Sequence, residues 1–353
     1  METKIIPVEE GNINKAAMRE AGEIIKRGGL VAFPTETVYG LGGNALDESA
    51  SEKIYHAKGR PSDNPLIVHI CRMEDIYAIV REAPEPAMKL AEAFWPGPLT
   101  MILWKSDKIP YATTGGLDTV AVRMPGHKTA LALIEAAGGY VAAPSANTSG
   151  KPSPTLAKYV AEDMDGRIDM ILDGGEIEIG LESTIVDLTE KTPVILRPGY
   201  ITKEMLENVI GHVETDKAIL NNGTGQAPKA PGMKYKHYAP KGELTIISGS
   251  RGKVIEEINK RSREMRRRGE KTGIIGTDDT VDFYEADVIK SAGNREEEAT
   301  IARALYRILR EFDDEGVNVI YSESFEETAK TGGMGQAIMN RLLKAAGYHI
   351  EKA

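Results

Sequence analysis

Two short polar stretches of this chain could do chemistry together. Lys58-Gly59-Arg60-Pro61-Ser62-Asp63-Asn64-Pro65-Leu66 carries two fixed cations and a hydroxyl on a segment that two prolines and a glycine keep out of helix and sheet. Pro144-Ser145-Ala146-Asn147-Thr148-Ser149-Gly150 brings small hydroxyl and amide groups just after a short apolar run. Cations and small donors on rigid loops suit a phosphate-bearing ligand, because they neutralise charge and let the backbone approach closely. Either stretch alone reads as an ordinary surface turn. Together with Pro34-Thr35-Glu36-Thr37-Val38-Tyr39-Gly40-Leu41 they argue for one shared site.

Several other chemistries are absent from the sequence. There is no Walker A pattern, no Gly-x-Ser-x-Gly elbow and no Cys-x-x-Cys pair. Gly40-Leu41-Gly42-Gly43 lacks the Gly-x-Gly-x-x-Gly spacing of a dinucleotide loop. What remains is a set of cations and polar donors with no evident nucleophile or acid–base pair. Such a site suits substrates that react with each other while the protein positions them and stabilises charge.

These residues must be held by a scaffold. Short β-branched runs alternate with helical patterns, the sequence form of an α/β protein. Residues 15–27 predict a helix closed by Gly28-Gly29, followed by a strand at Leu30–Phe33. Ser49 and Glu52 predict a capping box for a helix running to about Ala57. Further strands are expected at Leu66–Ile70, Leu99–Trp104, Thr119–Val122, Tyr140–Ala143, Ile168–Leu172, Thr184–Leu188 and Val194–Leu196. Thr35, Arg123, Ser145 and Arg197 then fall at strand ends, where α/β sheets gather their ligand sites.

At 353 residues the chain has room for two domains, with 41% hydrophobic and 27% charged residues. The formal charge of −9 argues against coating nucleic acid by bulk electrostatics, although a local basic cleft stays compatible with it. A single cysteine, Cys71, excludes a disulfide framework or a multi-cysteine metal site, and its place after an apolar run predicts a structural thiol. The six histidines show no ligand spacing. With no bilayer-length apolar run and no signal-peptide pattern, the expected location is cytoplasmic, away from membranes.

Composition shifts over residues 217–240, which hold four lysines and no acid, ending in Met233-Lys234-Tyr235-Lys236-His237-Tyr238-Ala239-Pro240. A passive linker is one reading; a basic lid reaching into the site is preferred. Beyond it, strands at Leu244–Ile247, Gly273–Gly276 and Val317–Tyr321 alternate with helices at 251–268, 296–312 and 334–346, the layout of a small doubly wound domain. Gly332-Gly333-Met334-Gly335 is read as a loop and helix start, and Arg266-Arg267-Arg268 as a solvated helix end. The expected domains are 1–212, a linker or lid at 213–241, and 242–353.

At its signature stretches the chain resembles the YrdC family, the L-threonylcarbamoyl-AMP synthases. The resemblance rests on Pro34–Leu41, Lys58-x-Arg60, Ser145-x-Asn147, Phe94-Trp95-Pro96-Gly97-Pro98-Leu99-Thr100, Glu182-Ser183-Thr184-Ile185-Val186-Asp187 and Leu196-Arg197-Pro198-Gly199, and covers about residues 10–205. His237–Pro240 and the following α/β unit resemble the family's two-domain form. The resemblance implies a YrdC-like twisted α/β domain with an open mixed sheet, followed by a smaller doubly wound (Rossmann- or flavodoxin-like) domain. It also implies a nucleotidyltransferase that makes threonylcarbamoyl-AMP and pyrophosphate from L-threonine, bicarbonate (or CO2) and ATP. Partner proteins would pass the threonylcarbamoyl group to a tRNA adenosine beside the anticodon, with tRNA itself a further candidate partner.

Carried over position by position, Lys58, Arg60, Ser145 and Asn147 are the expected catalytic residues. ATP falls to Lys58, Ser62, Thr119, Ser145, Ser153, Arg197 and Tyr238, and Mg2+ arrives with it rather than on protein side chains. L-Threonine falls to Thr35, Ile67, His69, Arg123, Ala143 and Ser183, with the planar Arg123 fork suited to its carboxylate. Two other readings stand beside this one. A double-stranded-RNA-binding module would use the same cations but leave Arg123 and Ser183 without a task. A hydrogenase-maturation carbamoyl transferase would need cysteine-rich zinc modules that one cysteine cannot build.

Overall fold

The structure, a computed structural model, describes residues 2–216, 219, 238–325 and 333–353. The chain divides into two compact units. The first holds Met1–Ser149, Ser153–Glu178 and Glu182–Lys234; the second holds Gly150–Pro152, Ile179–Leu181 and Tyr235–Ala353.

The strands of the first unit are β1 (Lys4–Pro7), β2 (Val31–Phe33), β3 (Gly40–Asn44), β4 (Ile67–His69), β5 (Leu99–Trp104), β6 (Thr119–Arg123), β7 (Val141–Ala143), β8 (Met170–Asp173), β9 (Thr184–Asp187), β10 (Val194–Arg197) and β11 (Glu214–Thr215). They form one 11-stranded sheet in the order β1-β8-β2-β3-β7-β4-β6-β5-β9-β10-β11. The sheet is mixed: β4 pairs parallel with β6 and antiparallel with β7, for example. Its helices are α1 (Lys15–Lys26), α2 (Glu48–Lys58), α3 (Ile76–Ile79), α4 (Glu85–Phe94), α5 (Lys128–Ala136), α6 (Ala157–Met164) and α7 (Lys203–Ile210).

Local chemistry explains where these elements start and stop. Asn14 caps α1 by accepting the N–H of Ala17 at 3.0 Å. A Cβ on Gly22 would lie 2.6 Å from the backbone of Ala136, so glycine is what lets α1 press onto α5. The expected Ser49–Glu52 capping box is not what starts α2. Asp47, two residues earlier, is the cap, its carboxylate accepting the N–H of Ser49 at 2.9 Å at the positive end of the helix dipole. Gly59 ends α2 in the left-handed region at φ 59°, which turns the chain immediately after Lys58.

The sequence reading missed β3. Its Gly-Leu-Gly-Gly run offers almost no side chains for a period-two pattern. The glycines are there for packing, since a Cβ on Gly42 would come within 2.9 Å of both Val141 and Phe33.

The second unit has strands β12 (Glu243–Ser248), β13 (Thr272–Gly276), β14 (Val288–Ser291), β15 (Val319–Glu323) and β16 (Ile350–Lys352), with helices α8 (Arg251–Arg267), α9 (Glu298–Asp314) and α10 (Gly335–Ala345). Its five strands run β14-β13-β15-β12-β16, every pairing parallel. Ile246, Ile247, Ile274, Ile275 and Ile320 are all fully buried, so adjacent strand residues bury alternately toward both faces. This is the doubly wound α/β layout expected from the sequence. The helix α8 leaves β12 toward β13, while α10 leads from β15 to β16 on the other side, and β12 and β15 are neighbours. At their carboxyl ends lies a crevice of about 500 Å³ lined by Ser248, Arg251, Asp279, Arg295, Glu323 and Ser324.

Among the described residues no helix is long and apolar enough to cross a membrane.

Candidate functional site

The register of the first sheet sorts its residues by face. Ile67 pairs with Ala121 on β6 and Ala143 on β7, while His69 pairs with Arg123 and Val141. Because alternate residues of a strand share a face, Ile67, His69, Thr119, Ala121, Arg123 and Ala143 point the same way. Met101 pairs with Val122, which places Thr100 beside Arg123 on that face. The apolar floor there is a small cluster of Ile67, Ile102, Ala121, Ile185 and Leu196. Along β6, Thr119 and Arg123 are separated by roughly 13 Å of strand.

At one end stands Arg123, with only 5% of its side chain exposed. Its Nε donates to the carbonyl of Gly97 at 3.3 Å and its Nη1 to Thr37 Oγ1 at 3.0 Å. Its Nη2 lies 2.7 Å from Oε1 of Glu36, whose side chain is 11% exposed. That ion pair lacks hydrogen-bond alignment, so Nη2 and both Glu36 oxygens are buried without a hydrogen-bond partner. Thr35 closes the preceding turn: its hydroxyl donates to the Val38 carbonyl at 2.6 Å and accepts the N–H groups of Thr37 and Val38 at 3.2 Å each. The Thr35 and Thr37 hydroxyls are 2.9 Å apart. Thr35 therefore reaches Arg123 through Thr37. His69 stays neutral, its pKa pushed down to about 3 by burial and by the Arg123 charge. Its Nδ1 lies 3.1 Å from the carbonyl of Ile67 and its ring meets Phe33 edge-on at 6.2 Å.

At the other end, α2 delivers Lys58 to the loop after β7. The buried Lys58 ammonium donates to the carbonyls of Ser145 and Asn147, and Asn147 Oδ1 is 3.5 Å away. Ser145 Oγ donates to Asn147 Oδ1 at 2.6 Å, and the Lys58 carbonyl accepts the N–H of Ser149 at 2.8 Å. A bridge between Gly40 and Ser145 ties this loop to β3. Arg60 is half-buried, and its Nη2 donates to the carbonyls of Asn64 and Pro65 at 3.0 Å each. Lys58, Ser145 and Asn147 are thus one hydrogen-bonded group, with Arg60 anchored on the segment that enters β4.

A third group lies where β5 meets β9. Arg197 donates from Nε to the Ser183 carbonyl and from Nη2 to the Ser183 hydroxyl, both at 3.0 Å. The Ser183 hydroxyl is 2.7 Å from Thr100 Oγ1. Through Thr100, this group sits at the Arg123 end of the face, so Arg197 shares an end with Ser183. Ser153 donates to Glu182 at 2.7 Å and is buried. Ser62 is exposed on the loop after α2. Tyr238 belongs to the second unit, where its ring lies 5.0 Å from that of Tyr306 and its φ is 66°. The expected lid falls almost wholly on residues 217–237, outside the described residues apart from Ile219. The Cys71 thiol is pushed up to about 11 by burial and by Asp75, which suits a structural role.

Sequence reasoning gave no role to Glu36, Thr37 or Thr100. Thr37 carried a weak signal, two positions from Thr35 on an extended turn. Glu36 carried none, because its partner Arg123 lies on a distant strand.

Two family profiles match the chain. One, named Sua5_yciO_yrdC and described as telomere recombination, matches residues 23–199. The other, described as the threonylcarbamoyl-AMP synthase C-terminal domain, matches residues 201–347. A threonylcarbamoyl-AMP synthase of Pyrococcus abyssi is 51% identical, with 99% of each chain covered. One from Bacillus subtilis is 48% identical over 97% of this chain and 96% of the relative. The crystal structure of P. abyssi Sua5 complexed with L-threonine superposes with a TM-score of 0.93 at 50% identity, covering 99% of this chain and 100% of that one.

Proposed function

The chain belongs to the threonylcarbamoyl-AMP synthase family, and from that premise we propose that it joins L-threonine, bicarbonate (or CO2) and ATP into threonylcarbamoyl-AMP and pyrophosphate. The observation that carries this reading is the separation of two polar groups on one sheet face. An arginine fork stands at one end and a lysine–hydroxyl–amide group at the other, a strand's length apart.

The threonine carboxylate docks on Arg123, whose orientation is fixed by Gly97 and Thr37. Thr35 sets that turn, Ser183 and the neutral His69 offer polar contacts, and Ile67 and Ala143 form the wall beside the side-chain methyl. Carboxylation of the amine releases water and a proton and leaves a carbamate. A carbamate oxygen then attacks the α-phosphate, and pyrophosphate leaves. Both steps crowd anions together, so fixed donors lower the barrier by being in place before charge develops. Lys58 and Arg60 face the phosphates, with Ser145 and Asn147 holding the reacting groups. Ser62, Thr119, Ser153 and Arg197 are assigned to the nucleotide.

The donors at the Lys58 end are cationic and hydroxylic, chemistry that suits phosphate oxygens better than a bare divalent ion. Mg2+ is accordingly proposed to come on the triphosphate, where it would neutralise the β- and γ-phosphate charge. The product is proposed to serve proteins that transfer the threonylcarbamoyl group to tRNA, a reading compatible with the cytoplasmic location expected from the sequence.

The test is pyrophosphate release from ATP and bicarbonate by the purified protein. Release is expected to depend on L-threonine and to be unmatched by serine or alanine. A folded protein that releases none would return the chain to the RNA-binding reading.

A further inference from the structure

Arg123 and Glu36 are set side by side in a nearly closed part of the sheet face, and the pair is charge-balanced before any substrate arrives. If an amino-acid carboxylate joins the guanidinium, two carboxylates share one cation. Buried like charges at that distance repel strongly, so the site then lacks one positive charge. The neighbouring rings do not supply it. His69 is neutral, and His127 is held below the usual histidine range by burial, despite Glu10, Glu36 and Glu178 nearby. The substrate itself carries the missing charge on its ammonium. Both Glu36 oxygens are buried and without a hydrogen-bond partner, so the acceptors for that ammonium are already in place.

We propose that Glu36 is the ammonium partner of the incoming amino acid, making the site selective for a zwitterion. This deepens the proposed function and rests on Arg123 taking the substrate carboxylate. Glu36 is a positioning residue here: it holds the nitrogen that is to be carboxylated, while Arg123 holds the other end of the amino acid. Arg197, at the same end of the face, is turned to Ser183, so the charge shortfall is local to the Arg123–Glu36 pair. A ligand with the carboxylate and hydroxyl of threonine but no amine leaves the site one charge short.

The experiment measures binding to the full chain by calorimetry, with L-threonine and with 3-hydroxybutyrate, which is threonine without its amine. The unaltered protein should bind threonine at least about tenfold more tightly. In Glu36→Gln, threonine should weaken roughly tenfold while 3-hydroxybutyrate tightens severalfold, because Arg123 is then left with a single carboxylate. Glu36→Asp should keep the preference for threonine, and it serves if the glutamine variant does not fold. Equal weakening of both ligands in Glu36→Gln would make Glu36 a mere support for Arg123 and overturn the proposal. No preference for the amine in the unaltered protein would overturn it too. Failure of the unaltered protein to bind threonine at all would instead sink the reading on which the proposal rests.

Discussion

One ion pair from each unit shows two ways of handling charge. In the first, Arg123 and Glu36 are set into the face of a mixed sheet, with 5% and 11% of their side chains exposed. In the second, Arg251 and Asp279 pair at the strand ends of a parallel sheet with 54% and 49% exposed. The parallel sheet buries both faces largely in apolar side chains, and Arg251–Asp279 sits at its rim, while Glu323 at the end of β15 is buried and paired with Arg295. The mixed sheet leaves one face for polar groups. Removing a charge from water costs several kcal/mol, and an exposed pair stabilises by less than about 1 kcal/mol. A buried ion pair therefore calls for its own explanation, in positioning at Arg123–Glu36 and in stability at Arg295–Glu323, and an exposed pair such as Arg251–Asp279 does not.

The sharpest way to break this contrast is Arg60→Ala. Its loss should lower threonine-dependent pyrophosphate release roughly a thousandfold in kcat/KM, with an unchanged unfolding midpoint. A folded variant of full activity would take Arg60 out of the site. The second unit should show the reverse pattern at Arg295, which pairs with Glu323, a carboxylate only 4% exposed that also accepts the Tyr284 hydroxyl at 2.8 Å. Arg295→Met should cost about 3 kcal/mol in denaturant unfolding, while turnover per folded molecule stays within about twofold. A large drop in turnover with no loss of stability would place chemistry in the second unit.

The smallest effect is a pH dependence. His69 has its folded pKa lowered to about 3, so the unfolded chain binds more protons between there and its ordinary value of 6.5. Stability is then fully present above 6.5 and falls as pH drops toward 3. From pH 7 to pH 5 the loss from this group is about 2 kcal/mol. Comparing unfolding at the two pH values in the parent and in His69→Gln should show a shallower slope in the variant; identical slopes would mean His69 titrates normally.

Strands were legible in the sequence wherever β-branched residues were dense, and β5 runs Leu99–Trp104 as read. The convergence of Thr35, Arg123 and Ser183 on one end of a sheet face was partly legible, because each sat beside a strand end. What escaped notice was set by backbone or by distance. The strand β3 is made of glycine, whose lack of side chains is its function in packing against Phe33 and Val141. Asp47 won the α2 cap over Ser49 through an electrostatic preference that a motif does not rank. Glu36 became meaningful only once folding brought β6 to it. Arg197 was named from the sequence, but its anchorage on Ser183 depends on β9 and β10 being antiparallel neighbours.

The ending of α2 has an evolutionary consequence. Lys58 is the last residue of the helix, and its ammonium must meet the carbonyls of Ser145 and Asn147. Each residue of a helix turns it by about 100° and lengthens it by about 1.5 Å. One inserted or deleted residue between Asp47 and Lys58 would swing the ammonium to another side of the helix, and a full-turn change would overshoot by about 5 Å. The helix acts as a ruler. Substitutions along its exposed side are tolerable and changes in its length are not.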